Sequence, residues 1–239
     1  MSEFNKSNWA KSEFSQGYRD NADIFIVERR RMLTILQSLY THFVKDGTIK
    51  TVLDLGCGDG IVTSVIAEVD RTIIATMIDG SEDMLAKAKE RLIGLKTARY
   101  IQTGFQELFQ KNILGDFDII ASSLAIHHLT MEEKIALFRK VHDHLKPGGY
   151  FVNIDVVLGQ SVPLEQWYLS LWRDWIDERQ RVLRITSGQF DGIVERYKDN
   201  RDNKPDTLSD QLDALRGIGF RDVDCYYKYG IFTMFGGRK

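Results

Sequence analysis

Three glycines at alternate positions follow a short hydrophobic segment in the first quarter of the chain. Gly56, Gly58 and Gly60 come directly after residues 52–55, and a helix-like pattern begins behind them. Glycine lets a backbone turn sharply and approach a ligand, because a Cβ atom would intrude there. The backbone amides that begin the following helix would face the same crevice. A glycine-rich turn alone is weak evidence, since a purely structural turn uses the same residue type.

An acidic residue stands where it would complete a nucleoside site. Asp79 ends the next hydrophobic segment, about 20 residues beyond the loop, where a carboxylate accepts hydrogen bonds from both hydroxyls of a ribose. Together, this order of a strand, a glycine loop, a helix, a second strand and a terminal acid predicts an adenosine-type ligand. The spacing is G-x-G-x-G with Asp54 in front, whereas dinucleotide enzymes carry G-x-G-x-x-G. These residues do not by themselves choose the cofactor, although the ammonium group of S-adenosylmethionine would find an acceptor in Asp54 or in a loop carbonyl.

Hydrophobic segments and helical patterns alternate around these residues. The predicted strands are residues 51–55, 72–78, 98–102, 118–122 and 149–157, and the helices between them are residues 60–69, 81–93 and 131–145. A helix over 24–44 precedes this core, and an aromatic-rich helix over 164–184 follows it. A charged stretch then leads to a helix over 207–217 and to two strands, 221–227 and 230–235. The alternation predicts a parallel sheet with helices on both faces, because right-handed crossovers place them there.

Several of these segments resemble the motifs of one enzyme family. The sequence DLGCGDG at 54–60 resembles motif I of class I S-adenosylmethionine-dependent methyltransferases, and Asp79 matches the ribose-binding acid of that family. The sequence DFDIIASSLAIHHL at 116–129 is similar to the fourth-strand motif of the small-molecule branch, and LKPGGYF at 145–151 to the turn before the fifth strand. The resemblance covers residues 52–157. It implies a Rossmann-like α/β fold, with a doubly wound seven-stranded sheet of order 3-2-1-4-5-7-6, the last strand antiparallel.

The same resemblance implies S-adenosyl-L-methionine as the cofactor and S-adenosyl-L-homocysteine as the product. The residues expected to bind it are Tyr18, Asp54, Gly56, Cys57, Gly58, Gly60, Asp79, Gly80, Met84, Gly104, Phe105, Gln106, Ser122, Ser123 and His127. Two positions depart from the family pattern. Thr103 and Gly104 stand where an Asp commonly binds adenine, and Arg19 replaces the Asp that commonly follows the lid tyrosine, Tyr18.

Two residues are candidates for catalysis. Methyl transfer from a sulfonium is an in-line displacement, so an enzyme mainly aligns donor and acceptor, and needs a base only if the acceptor must lose a proton. His127 follows the predicted fourth strand, and Asp155 lies at the end of the fifth. Both are at the sheet edge where such folds bind ligands. His127 is expected to act as base or orienting donor, or else to pack locally. Asp155 would orient the acceptor or a histidine, or else face water.

Aromatic residues in the helix over 164–184 suggest an acceptor pocket. Trp167, Tyr168 and Trp172, together with His128, are its predicted lining. Tyr168, Trp172 and Trp175 share one helical face. Core packing explains such a stripe more often, whereas an apolar acceptor pocket is the functional interpretation.

Composition restricts the partners. The formal net charge of -2 lacks the positive excess that binding to a nucleic-acid backbone requires. Cys57 and Cys225 lie far apart, without metal-binding spacing, which favours reduced thiols, no metal and a cytoplasmic location. No apolar run reaches the roughly 18 residues that cross a bilayer. We expect a small-molecule acceptor, no nucleic acid and no membrane, and leave a homodimer open.

The predicted organisation is a single methyltransferase domain over residues 1–239. It divides into an N-terminal helical lid (1–46), a cofactor-binding core (47–157), a helical insertion (158–206) and a final helix with an edge hairpin (207–239). Two other functions stay open at this point: an RNA or protein methyltransferase, and a binding protein that keeps the cofactor without transferring its methyl group. The acceptor and the attacked atom are also open.

Overall fold

The computed structural model describes residues 12–110 and 115–239. Within these ranges the strands form one seven-stranded sheet of order β3-β2-β1-β4-β5-β7-β6. The strands are β1 (Thr51–Leu55), β2 (Ile74–Asp79), β3 (Ala98–Gln102), β4 (Phe117–Ser123), β5 (Leu145–Val156), β6 (Arg221–Tyr229) and β7 (Phe232–Arg238). Strands β1 to β5 pair in parallel, and β7 runs antiparallel to both β5 and β6. The predicted fold class and strand order are confirmed.

Helices cover both faces of this sheet. They are α1 (Ser12–Phe25), α2 (Arg29–Leu39), α3 (Ile61–Val69), α4 (Glu82–Arg91), α5 (Phe105–Gln110), α6 (Met131–His144), α7 (Val162–Leu183), α8 (Ile193–Asp199) and α9 (Leu208–Ile218). A π-helical turn, Tyr40–Val44, continues α2, and a 3-10 turn, Ile126–His128, follows β4. Among the described residues, none of the helices is both long and apolar enough to span a membrane.

Alternate strand residues point into two separate hydrophobic cores. Val52 belongs to the core that includes residues of α2, α3, α4 and α7. Its neighbour Leu53 belongs to the core that includes residues of α5, α6 and α9. Because successive side chains of a strand point to opposite faces, a strand buried on both faces reads as a continuous apolar run. This is why the central strands were visible in the sequence.

The structure corrects the predicted elements most clearly in three places. The helix expected over 24–44 is two helices, because α1 ends at Phe25 and Glu28 takes a left-handed conformation, with φ of 52°. Ile26 and Val27 are buried in the turn between them, so core packing there outweighs helix continuity. The charged stretch before Lys204 contains α8. Strand β5 begins at Leu145 rather than at Gly149, and an irregular register against β4 between Phe117 and Ile119 absorbs the Lys-Pro-Gly-Gly turn.

Candidate active site

The glycine loop leaves an open space at the carboxyl end of β1. Gly56 has φ of 64°, and a Cβ atom there would lie 2.4 Å from the Cβ of Ala125, so a larger residue cannot be accommodated. Gly58 has φ of 53°, but a Cβ on it would meet no described atom within 4 Å. The first glycine is therefore required by packing. The second borders empty space in which a ligand can approach the backbone.

Asp79 ties this loop to the end of β2. Its carboxylate accepts hydrogen bonds from the backbone amides of Gly58 and Ser81, both at 2.8 Å. Burial raises the pKa of the Asp79 carboxyl, although these amides act in the opposite direction. The side chain is thus fixed at the sheet edge where the sequence predicts a ribose-binding acid.

Asp54 presents a buried acceptor beside the loop. One carboxylate oxygen accepts from the amide and the hydroxyl of Thr63, at 3.2 and 2.8 Å. The other, Oδ1, is buried and has no hydrogen-bond partner among the described residues. Burial raises the pKa of this carboxyl to about 7. A buried unpaired acceptor is costly unless a ligand donates to it, so these residues fit a cofactor that carries an ammonium group next to a ribose.

The other residues predicted to bind the cofactor collect at the same edge of the sheet. Gly80 and Met84 lie at the start of α4, Gly104, Phe105 and Gln106 at the start of α5, Ser122 and Ser123 at the end of β4, and Cys57 inside the loop. Ser122 donates to the Leu55 carbonyl at 2.7 Å, which joins β4 to the loop strand. The Tyr18 side chain lies outside the described residues. The individual contacts of these residues with a cofactor stay predictions.

His127 and Asp155 form a hydrogen-bonded pair. The Nδ1 atom of His127 lies 2.6 Å from one carboxylate oxygen of Asp155, and its backbone amide donates to the other at 3.0 Å. Both side chains are buried. Burial by itself would raise the pKa of Asp155, but the His127 ring, the Val156 amide and the charge of Lys134 together lower it. In a neutral His127 ring, an ionised Asp155 favours the tautomer that carries the proton on Nδ1 and leaves Nε2 as an acceptor.

The loop that follows α8 is fastened to this histidine turn. The Lys204 amide donates to the His127 carbonyl at 2.7 Å, and Nδ1 of His128 lies 3.0 Å from the Asp202 carbonyl. Lys134 is completely buried, and its Nζ donates to the Lys204 carbonyl at 2.6 Å and to the Asp206 carboxylate at 2.5 Å. These hydrogen bonds therefore fix the position of the insertion relative to the turn that carries His127.

His128 differs from His127 in its surroundings. Burial, with the neighbouring His127 ring, lowers the pKa of His128 to about 3, so its imidazole is neutral at physiological pH. The two rings lie 4.0 Å apart between centroids. His128 packs beside the catalytic candidate, and both histidines border one cavity.

That cavity has a volume of about 780 Å³, which is a size typical of small-molecule sites. Its walls come from α1, the ends of β4 and β5, β7, α7, α8 and the loops around α8. The apolar lining residues are Phe25, Ile26, Leu124, Val156, Trp172, Phe190, Ile193, Tyr197 and Phe232; the polar ones include Asn21, His127, His128, Gln189, Arg196, Asp199, Asn200 and Asn203. The walls lie largely outside the glycine-loop core, in the predicted lid and insertion.

Two indole groups join the lid helix to the insertion. Trp172 donates its Nε1 hydrogen to the Phe25 carbonyl at 2.7 Å, and Trp175 donates to the Ile24 carbonyl at 3.1 Å. Carbonyls at a helix C-terminus lack intrahelical partners, so these side chains cap α1. Trp172 is buried and also lines the cavity. The sequence posed core packing and an acceptor pocket as alternatives for Trp172; the side chain is part of the core, and its acceptor role stays a prediction.

The other two aromatic residues predicted for the pocket lie elsewhere. Trp167 is 55% exposed at the surface of α7. Tyr168 packs under the Lys228 ammonium, 4.2 Å from its ring centroid, and against Gly230. Neither residue is part of the described cavity lining. An acceptor role for Trp167 and Tyr168 stays a prediction without support from this cavity.

Two residues near the histidine pair were missed in the sequence. Tyr197 lines the cavity from α8, whose apolar positions Ile193, Val194 and Tyr197 have helical spacing that the surrounding charges obscured. Lys134 has no sequence signal, because a lysine in an amphipathic helix is ordinarily exposed. In the described part of the chain no cluster of side chains suits a metal ion.

Comparison with known proteins identifies the glycine-loop core. Residues 52–149 match a family described as "Methyltransferase domain". Residues 52–149 are thus similar to a methyltransferase domain, and the open loop, Asp79 and Asp54 fit S-adenosylmethionine.

Individual relatives extend the similarity of the methyltransferase domain. An uncharacterized methyltransferase of Synechocystis is 35% identical over 106 residues, which cover 44% of this chain and 46% of that protein. A carboxy-S-adenosyl-L-methionine synthase of Methylococcus capsulatus is 22% identical over 188 residues, covering 76% of this chain and 74% of the relative.

The fold also matches solved structures. Human N-acetylserotonin methyltransferase, solved in complex with S-adenosylmethionine, superposes with a TM-score of 0.64 at 17% identity, covering 100% of this chain and 59% of that one. The chain thus spans less than half of the Synechocystis protein and about three-fifths of the human one.

Proposed function

We propose that this chain transfers the methyl group of S-adenosylmethionine to the hydroxyl of a small-molecule acceptor. The observation that carries the proposal is the His127–Asp155 pair, buried at the edge of an apolar cavity of about 780 Å³. A positioned base is useful only where the acceptor must lose a proton, as a hydroxyl must. A thiolate or a neutral amine would attack without one.

Different residues would bind the nucleoside, bind the ammonium group of the donor and enclose the acceptor. Asp79 and the glycine loop hold the nucleoside, and Asp54 Oδ1 accepts a hydrogen bond from the ammonium group of the donor. The lid (1–46) and the insertion (158–206) enclose the acceptor and exclude water, which strengthens the electrostatic contacts inside the cavity. The division of the chain into these segments is part of the proposal.

In the reaction, His127 Nε2 takes the proton of the acceptor hydroxyl while Asp155 stabilises the imidazolium that forms. A lone pair on the acceptor oxygen forms the new carbon–oxygen bond. S-adenosylmethionine supplies the methyl carbon, whose bond to sulfur breaks with its electron pair left on sulfur, giving S-adenosylhomocysteine. His127 then returns its proton to solvent. Alignment of donor and acceptor in the cavity provides most of the acceleration.

Four features support a small acceptor over RNA or protein. The cavity of about 780 Å³ has a size typical of small-molecule sites, and the net charge of -2 offers no general attraction for a nucleic-acid backbone. The human structural neighbour is named for a small molecule, N-acetylserotonin. The resemblance of residues 116–129 to the small-molecule branch agrees. A cytoplasmic location is proposed as well, on the two free thiols Cys57 and Cys225.

The test is to follow labelled methyl groups into separated cell fractions. Purified chain is incubated with methyl-labelled S-adenosylmethionine and, separately, with small metabolites, total RNA and total protein. We expect label in the metabolite fraction, with Asp79→Ala as the donor-binding control and His127→Gln as the base control. Label confined to RNA or protein would refute the acceptor class. Tight binding of S-adenosylhomocysteine without transfer to any fraction would favour a non-catalytic binder.

A further inference from the structure

Five aromatic residues form one wall of the acceptor cavity, and most of them have no polar atom left to offer. Phe25, Phe190 and Phe232 carry none, and Trp172 has already donated its indole hydrogen to the Phe25 carbonyl. The rings meet edge to face. Trp172 lies at 81° to Phe232 and 5.3 Å from it, and Phe25 lies at 71° to Phe190 and 5.5 Å from it. Such walls present ring faces and edges against which another flat ring packs well.

Tyr197 is the exception, because it brings a hydroxyl to this apolar wall. Its ring is held edge to face against Trp172, at 5.3 Å and 80°, and its carbonyl accepts from the side chain of Asn203 at 2.9 Å. Across residues 12–110 and 115–239, the structure shows no hydrogen bond made by the Tyr197 hydroxyl. The position of the ring is thus fixed by packing, while its polar atom is available to a ligand.

Tyr197 and His127 border the same cavity and are held by adjacent residues. The Asn203 side chain donates to the Tyr197 carbonyl at 2.9 Å, and the Lys204 amide donates to the His127 carbonyl at 2.7 Å. Burial, followed by the negative charges of Asp155 and Glu165, raises the pKa of the Tyr197 phenol well above its usual value. The hydroxyl therefore keeps its proton and acts as a hydrogen-bond donor.

We propose that the cavity binds a small phenol, with its aromatic ring packed against Trp172 and Phe232 and its hydroxyl between His127 and Tyr197. This inference rests on the proposed methyl transfer and names its substrate class. Tyr197 donates a hydrogen bond to the acceptor oxygen while His127 accepts its proton. Tyr197 is thereby a specificity-determining residue, because an acceptor without that oxygen leaves both buried polar groups unpaired.

The experiment measures binding rather than turnover, in the presence of S-adenosylhomocysteine. Three probes are titrated into the full chain: para-nitrophenol, nitrobenzene, which lacks the hydroxyl, and cyclohexanol, which lacks the aromatic ring. We expect para-nitrophenol to bind most tightly. In Tyr197→Phe its affinity should fall about fivefold to tenfold, the effect of one hydrogen bond to a buried group. Nitrobenzene should bind Tyr197→Phe and the native chain equally well.

A matched control is Tyr226→Phe, which removes a phenol hydroxyl from β6, outside the cavity lining. It should leave all three affinities unchanged, and unchanged S-adenosylhomocysteine binding shows that each variant is folded. The proposal is overturned if Tyr197→Phe binds para-nitrophenol as the native chain does, or if cyclohexanol binds equally well. If phenol binding fails, the chain can still transfer methyl groups to a non-aromatic alcohol, and the proposed function stands. If methyl transfer fails, phenol binding can still be measured. The two proposals can therefore fail separately.

Discussion

Trp172→Phe tests whether a single side chain both caps the lid helix and lines the acceptor cavity. The substitution keeps an aromatic ring but removes the donor that lies 2.7 Å from the Phe25 carbonyl. A carbonyl left unpaired at a buried helix end costs about 1–3 kcal/mol. The smaller ring also removes three buried heavy atoms, which adds a packing loss of about 2–3 kcal/mol. Both effects lower the free energy of unfolding.

The assay is urea unfolding of the variant beside Trp167→Phe. Trp167 is 55% exposed, so its substitution should change the free energy of unfolding by no more than about 0.5 kcal/mol. Calorimetry on the folded Trp172→Phe chain should show nearly native affinity for S-adenosylhomocysteine, because the glycine loop is untouched. Equal unfolding free energies for the two tryptophan variants would refute the capping role that we assign to the Trp172 indole.

Three other substitutions test the donor site and the insertion. Asp79→Ala should weaken S-adenosylmethionine binding by about 1–3 kcal/mol, since a charge-assisted contact to ribose is lost; unchanged affinity by calorimetry would contradict the assignment. Folded Asp54 keeps its proton up to a pKa of about 7 while the unfolded group ionises near 3.8, so its contribution to stability falls as pH rises across that window. Asp54→Asn should therefore gain more stability at about pH 8 than at about pH 5, and an equal gain by urea unfolding would count against this. Lys134→Met leaves the Lys204 carbonyl and Asp206 without their buried donor, and should cost about 1–3 kcal/mol of unfolding free energy. It should also reduce acceptor turnover more than donor affinity, and a change confined to donor affinity would argue against a role in holding the insertion.

The sequence predicted best where local and tertiary preferences agree. Residues 51–53 and Leu55 are β-branched or apolar, glycines follow where positive φ is needed, and the Ser81 side chain caps α4. Parallel strands buried on both faces also leave an unbroken apolar signal. Strand order followed from the resemblance rather than from any property of single residues.

The acceptor side was predicted poorly for a physical reason. Its walls depend on contacts between segments far apart in the chain, such as Trp172 with Phe25 and Lys134 with Asp206. A buried lysine leaves no periodic pattern, and the break after Phe25 arises from burial of Ile26 and Val27 rather than from a helix-breaking residue. The sequence left several roles open for His127 and for Asp155, and their pairing was only one of them. The ends of β4 and β5 are adjacent in the sheet, but this does not determine how the side chains there are oriented.

The most direct test of the central claim is the single-turnover rate of methyl transfer in Asp155→Asn, with donor and acceptor both saturating. The acceptor is the one labelled in the metabolite fraction. An asparagine keeps the shape of the side chain but no longer holds the His127 proton on Nδ1, so the rate should fall by about 10²–10⁴ while S-adenosylhomocysteine affinity stays native. A rate within about twofold of the native chain would contradict the claim that the His127–Asp155 pair removes the acceptor proton.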